Sequence, residues 1–282
     1  MNALGRNLWG RFRSSDFISL FSARKRFENY QLNLIGLQLF RIVVYNFKKL
    51  VVGLKYFKTY PEGSRDLSKN GFAQFKNAIA DFDSVTRIEQ DLLSDSRIKE
   101  YHLLGADYRE LRFTSDVIEE YQLDHLIDDI CRKTIPLLTK ALQLKVTRDM
   151  FEFSFTSIEL TPSNIDKQNE WHADCFYDTY KGFLFFEDIN QESAPFSFLT
   201  GSNKLTLSRL WREYRNSCDL TKDQSTRFVV DSADSRIHEF TVGKNTLVLA
   251  NTFGIHRRKP IKKPVTRNSI YFYLRPNPYK PW

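Results

Sequence analysis

Beyond about residue 150 the chain breaks into short stretches of strand character separated by turns, and this pattern limits what it can fold into. Residues 151–160 read Phe-Glu-Phe-Ser-Phe-Thr-Ser-Ile-Glu-Leu, with side chains assigned alternately to two faces. Residues 182–188 form an apolar run of the kind found in a buried strand. Residues 195–204 lead from a short strand into a glycine turn, and 227–230, 237–242, 243–250 and 270–275 follow as further strands. About eight such strands, with two helices' worth of chain before them, predict an α+β fold that is mainly β. The expected form is a double-stranded β-helix, jelly-roll or cupin-like, with flanking helices. Its two sheets bury their facing sides and leave an open mouth. At 41% hydrophobic residues the 282-residue chain has ample material for such a core.

The stretch with chemical meaning inside this frame is Trp171-His172-Ala173-Asp174. Successive side chains of a strand alternate faces, so His172 and Asp174 point the same way. One imidazole and one carboxylate side by side offer two ligands to a divalent metal. His256, delivered by the strand at 243–250, completes a 2-His-1-carboxylate set. That set leaves positions open and suits non-haem Fe(II), which must also take O₂ and a co-substrate.

The order of these pieces resembles the phytanoyl-CoA dioxygenase family of Fe(II)- and 2-oxoglutarate-dependent oxygenases. The family shows Trp-His-x-Asp, a buried strand ending in Asp, a Gly-Pro-rich strand, Pro-Gly-Ser-His, Gly-Asp before a strand, a distal His and then Arg. The resemblance covers about residues 68–276. This chain departs in having Ala194 where Gly is usual, Thr200-Gly-Ser-Asn203 for Pro-Gly-Ser-His, and Gly243-Lys244 for Gly-Asp. None of these removes a metal ligand. The resemblance implies that His172, Asp174 and His256 hold Fe(II), and that Arg267 and Ser269 bind 2-oxoglutarate. Guanidinium presents a bidentate fork to the distal carboxylate, and Ser269, two residues on, shares its face. The family lines the co-substrate pocket with the strand at 151–160, so Ser157 and Glu159 are the polar candidates there. Trp171 and Arg258 are assigned to the substrate side of the mouth, and Arg257 and Arg258 are competitors for the carboxylate that otherwise line the mouth or stay solvated. The implied reaction oxidises an unactivated C–H, releases succinate and CO₂, and takes ascorbate as an accessory reductant. With Asp174 present, hydroxylation is expected rather than halogenation.

The net charge of +8 is unevenly placed. Residues 1–60 hold eleven Lys and Arg against Asp16 and Glu28, whereas the remainder holds 31 basic and 32 acidic residues. Two parts are therefore expected: 1–62, a basic and partly apolar helical segment, and 63–282, the oxygenase domain, with the turn Tyr60-Pro-Glu-Gly63 between them. Residues 32–54 are the most apolar stretch, but Arg41, Lys48 and Lys49 interrupt it, which makes a poor spanning helix. The segment fits a helix lying at an anionic membrane surface, or a layer packed on the domain. Three widely spaced cysteines, Cys131, Cys175 and Cys218, point to free thiols in a reducing compartment. The localisation expected is cytoplasmic, with peripheral attachment at the inner membrane face.

Elsewhere, Asp81 or Asp83 is expected to cap a helix running towards Leu93, and apolar spacing from Val117 predicts a helix that Pro136 ends or restarts. Residues 203–217 read as a helix with Leu207, Leu210, Trp211 and Tyr214 at helical spacing. His102 and His125 are no ligands, Cys175 faces away from the metal, and His238 is exposed. Three functions are weighed: a hydroxylase of a small or lipid-like molecule, a catalytically inactive membrane-associated binding protein on the same fold, and an oxygenase of nucleic acid. The near-neutral charge of the domain that carries the site argues against the third.

Overall fold

The computed structural model describes residues 34–55, 64–103, 105–162, 166–218 and 226–275. Helix α1 (Leu37–Lys55) and α2 (Ser64–Asn70) precede strand β1 (Phe72–Phe75). Short helices α3 (Phe82–Arg87) and α4 (Glu89–Ser94), a hairpin of β2 (Lys99–Leu103) and β3 (Ala106–Arg112), and helices α5 (Ser115–Glu120) and α6 (Asp124–Leu142) follow. The remainder is β4 (Glu152–Leu160), β5 (His172–Ala173), β6 (Tyr180–Phe185), β7 (Phe196–Leu199), α7 (Leu207–Ser217), β8 (Thr226–Arg227), β9 (Ile237–Glu239), β10 (Leu247–Asn251), β11 (His256–Arg258) and β12 (Val265–Leu274).

The strands form two antiparallel sheets, ordered β1-β10-β6-β12-β4-β3-β2 and β8-β5-β11-β7-β9. From β4 to β7 the chain alternates between them, and from β10 to β12 it does so again. Alternation along each strand divides the seven-stranded sheet cleanly. One face, with Phe153, Phe155, Leu184, Ile270 and Phe272, packs on Ile127, Ile130, Leu137 and Leu138 of α6. The other face meets the five-stranded sheet, where Phe185, Val248 and Ala250 pack against Phe196, Phe198 and Phe240. The functional side chains lie in this second interface.

Several local outcomes differ from the sequence expectation. Asp81 does cap, its Oδ1 accepting from Ser84 N at 3.3 Å, but the helix ends at Arg87 and a second begins at Glu89. Helix α6 continues through Pro136. The missing N–H and ring clash cost ~3 kcal/mol, and the continuous buried stripe on both sides of the proline outweighs it. His238 is half-buried rather than exposed, stacked on Phe72 at 4.7 Å between centroids. Strand β12 starts at Val265, five residues before the expected start, because it pairs along its length with β4.

Helix α1 packs on the body, with Ile42 and Tyr45 buried against Phe176 and Tyr177. A buried carboxylate fastens it. Asp178 accepts from Tyr45 Oη at 2.8 Å and from Lys49 Nζ at 2.5 Å, while its other oxygen accepts from Asn251 Nδ2 at 2.6 Å. Burial opposes ionisation of Asp178, but Lys49 and these donors hold its carboxyl below the usual range. Residues 1–33 and the turn at 60–63 lie outside the described residues. Among the described residues no helix is long and apolar enough to cross a membrane.

Gly182 shows how tightly the helix-facing layer is built. A Cβ there would lie 2.0 Å from the Phe272 ring on the neighbouring strand. Gly182→Ala is expected to lower unfolding free energy by about 1–3 kcal/mol in chemical denaturation, and adding Phe272→Leu should recover part of the loss.

Candidate metal centre

Strands β5 and β11 are antiparallel neighbours with His172 directly opposite His256, and the rings lie 4.4 Å apart between centroids. Asp174 follows His172 by two residues, and its backbone N donates to Thr252 O at 3.0 Å, which fixes the turn out of β5. Its Oδ1 is 3.7 Å from Nε2 of both histidines. Ligand atoms of the three residues all lie within 4.8 Å of one another.

Each imidazole is oriented by a carbonyl. His172 Nδ1 is 2.7 Å from Glu170 O, and His256 Nδ1 is 2.9 Å from Gly254 O. A carbonyl only accepts, so each Nδ1 carries the proton and each Nε2 presents a lone pair to the centre. His172 Nε2 is buried and has no hydrogen-bond partner. Leaving such an atom unmet costs about 1–3 kcal/mol, which a metal bond would relieve. Burial, reinforced by His256, pushes His172 down to about 3, so it is neutral at pH 7. Two neutral imidazoles and a carboxylate on one side of an otherwise open centre fit a divalent first-row metal.

The backbone around the ligands is constrained by packing. A Cβ on Gly254 would sit 2.1 Å from the Phe198 ring, so only glycine allows the carbonyl that holds His256 to come this close. Ser202, in the turn after β7, accepts from Ile255 N at 2.7 Å and pins the residue just before His256.

Lys181 on β6 was not evident as a site residue. Its Nζ is 2.7 Å from Asp174 Oδ2, with both side chains largely buried. Burial alone would raise the Asp174 pKa, but Lys181 first and His256 next hold the carboxyl well below its ordinary range. Lys181 thus engages one carboxylate oxygen and leaves the other, equidistant from both histidines, for a metal. The signal was present in the sequence as one cation in an apolar strand, on the same parity as Phe183 and Phe185.

The other expected site residues divide by strand face. Register places Ser269 opposite Thr156 and Arg267 opposite Ile158, so these four share the face between the sheets. Ser269 Oγ lies 3.0 Å from Thr156 Oγ1. Ser157 and Glu159 stand opposite Asn268 and Thr266, on the other face, so the pocket-facing residues of β4 are Thr156 and Ile158 rather than the pair expected. Trp171 is likewise turned away, buried with Ala173, Leu199 and Phe228 behind the smaller sheet, with the Arg257 guanidinium 4.5 Å over its ring. Arg258 shares the inner face with His256 but is already engaged, donating to Asp166 Oδ2 at 3.0 Å and to Tyr108 Oη at 2.7 Å. Cys175 packs towards Ile42 and Phe176, and His102 and His125 are exposed and remote from the ligand set.

Arg267 is buried and donates to Ala194 O at 2.7 Å, with Nε unmet. Among the described residues no carboxylate lies within ion-pair distance of it. Burial, with Arg258 nearby, pushes its guanidinium down to about 9, still charged at neutral pH. Ala194, where the resembled family has glycine, takes φ +52°, a left-handed conformation that glycine adopts without strain.

No family model matches the chain, and no curated protein matches it. Among solved structures, EvdO2 from Micromonospora carbonacea var. aurantiaca, complexed with 2-oxoglutarate, is similar at TM-score 0.47 and 13% identity over 80% of this chain and 98% of that one. HygX from Streptomyces hygroscopicus, with nickel and 2-oxoglutarate bound, gives 0.49 and 14% over 78% and 88%. A Pseudomonas putida prolyl-4-hydroxylase gives 0.46 and 12% over 76% and 96%. Likenesses of this degree do not assign the chain to a family.

If Lys181 is the counter-ion of Asp174, Lys181→Met should destabilise the metal-free protein by roughly 2–3 kcal/mol, because a buried carboxylate loses its partner. Adding Co(II) should then raise the melting temperature more in the variant than in the parent. An unchanged metal-free melting temperature would count against the pairing. Asp174→Asn should remove the Co(II)-induced rise altogether.

Proposed function

We propose that the protein is an Fe(II)- and 2-oxoglutarate-dependent oxygenase that hydroxylates an unactivated C–H of a small or lipid-like molecule. The observation that carries this reading is the pairing of two features on the facing inner sides of the two sheets. Three convergent ligands present free lone pairs, and Arg267 is a buried cation with no carboxylate partner among the described residues. The strand order supports a double-stranded β-helix, with β4 to β7 and β10 to β12 alternating between sheets and the ligands on the smaller one.

Fe(II) with 2-oxoglutarate and O₂ supplies the oxidising power, and the co-substrate leaves as succinate and CO₂. The chain's own residues bind, orient and shield. His172, Asp174 and His256 hold the metal on one side. Arg267 receives the distal carboxylate of 2-oxoglutarate, and Ser269, supported by Thr156, adds a hydroxyl beside it. Arg258, two residues or ~6.6 Å along β11 from His256, keeps the second wall in place through Asp166 and Tyr108 and adds positive potential. Phe183, Phe185 and Phe196 line the interval between the sheets and exclude water. The absence of a disulfide among Cys131, Cys175 and Cys218 fits a reducing compartment, and ascorbate is the natural accessory reductant.

Succinate release from 2-oxoglutarate, with Fe(II) and O₂ and a panel of lipid extracts and small metabolites, tests the reading. Arg267→Ala should weaken 2-oxoglutarate binding by about a hundredfold or more, matching the 3–5 kcal/mol cost of breaking a buried ion pair, while leaving Co(II) affinity intact. Anaerobic titration of 2-oxoglutarate into metal-loaded variant decides it. Unchanged affinity would remove Arg267 from the role.

A further inference from the structure

Two helices of this protein leave large apolar side chains outside, and α7 does so while burying its polar side. Helix α7 buries Arg209, Glu213, Asn216 and Ser217 and leaves Leu207 85% and Trp211 59% exposed. Helix α1 buries Gln38 and Arg41 beside Ile42 and Tyr45, while Phe40, Val43, Phe47 and Leu50 are each more than half exposed. Positions 40, 43, 47 and 50 form one stripe along a helix, on the side away from the body. Scattered exposed apolar residues are ordinary, but a continuous stripe of large ones marks a contact surface.

The two helices are in contact. Leu210 of α7 packs on the cluster that holds Ile42 and Tyr45. Trp211 lies 5.5 Å from the Tyr214 ring, and Tyr214 Oη donates at 2.9 Å to the carbonyl of Leu34, where Leu34 and Ile35 are exposed. We propose that this α1–α7 face docks onto an anionic lipid bilayer surface.

Charge selects that occupant. Residues 34–55 contain no Asp or Glu, and the one acid of α7, Glu213, is buried against Arg209 at 3.0 Å. Arg215 is exposed one turn on from Trp211, and Lys204 and Arg212 are exposed at the edge of a cleft that also holds Asp231 and Asp234. A second copy seated on the same face would bring these cations against themselves. Residues 1–33 would do the same, since they carry six Lys and Arg against two acids. An anionic bilayer meets both features: phosphates take the cations, the acyl boundary takes the Phe and Leu side chains, and Trp suits the interface between them. Residues 175–178, which anchor the other side of α1, follow directly from Asp174 in the chain. The docking itself does not depend on the oxygenase reading.

The test uses the full chain and vesicles of phosphatidylcholine with or without phosphatidylserine, read by co-sedimentation. The parent should sediment with phosphatidylserine vesicles at low salt and be released at high salt. Phe47→Ser with Trp211→Ser should weaken sedimentation at least tenfold, with thermal unfolding and 2-oxoglutarate turnover in solution unchanged, since both side chains already face outwards. Three results would each overturn the proposal. These are a parent that ignores phosphatidylserine vesicles, a double variant that binds them as well as the parent, and a parent that is a dimer in solution which the double variant dissociates. Loss of turnover with vesicle binding intact would bear on the oxygenase reading alone.

Discussion

The candidate centre depends on one antiparallel contact, the register that sets His172 of β5 against His256 of β11. A slip by one residue would turn one of the two histidines to the back of the sheet, where Trp171 and Ala173 lie. That register is held from several sides. Phe198 closes over Gly254, Ser202 anchors Ile255, and the carbonyls of Glu170 and Gly254 set the imidazole tautomers. Asp174 then enters from the turn and is drawn to one geometry by Lys181. The result is a centre whose ligands converge in a setting where burial keeps His172 neutral.

The larger sheet supplies the complementary half. Its helix-facing side is an ordinary apolar layer, and its inner side carries Lys181, Arg267, Ser269 and Thr156 among phenylalanines. Burying so much cationic and hydroxyl chemistry is costly unless an anion uses it. Arg258 already has Asp166 as its counter-charge, whereas Arg267 has only a carbonyl. That contrast, and not the count of arginines, underlies the different parts proposed for the two.

Much of this could be read from the chain because strand parity is strict. His172 and Asp174 had to share a face, and so did Arg267 and Ser269. Parity does not say which face points inwards, which is why Ser157 and Glu159 were favoured over Thr156 and Ile158, and why Trp171 was placed at the mouth. Lys181 was hidden because a lone lysine in an apolar strand becomes meaningful only when the neighbouring strand brings a carboxylate to it. Ala194 was visible as a departure, and its left-handed backbone gives the reason glycine is usual there. In the helices, apolar spacing indicated that α7 forms but suggested nothing of its orientation. The ion pair of Arg209 with Glu213 holds the polar side inwards and leaves Leu207 and Trp211 outside. In helix α1, one face packs on the body through Tyr45 and Asp178, as the packed-layer reading of 32–54 expects, and Phe40, Val43, Phe47 and Leu50 are left exposed.

The central claim is that His172, Asp174 and His256 hold Fe(II) with adjacent positions open to a chelating 2-oxo acid. Anaerobic visible absorption of the Fe(II)-loaded protein, titrated with 2-oxoglutarate, measures this directly. The account predicts a metal-to-ligand charge-transfer band that saturates at one 2-oxoglutarate per chain. Tight Fe(II) binding with no such band at any 2-oxoglutarate concentration would contradict it.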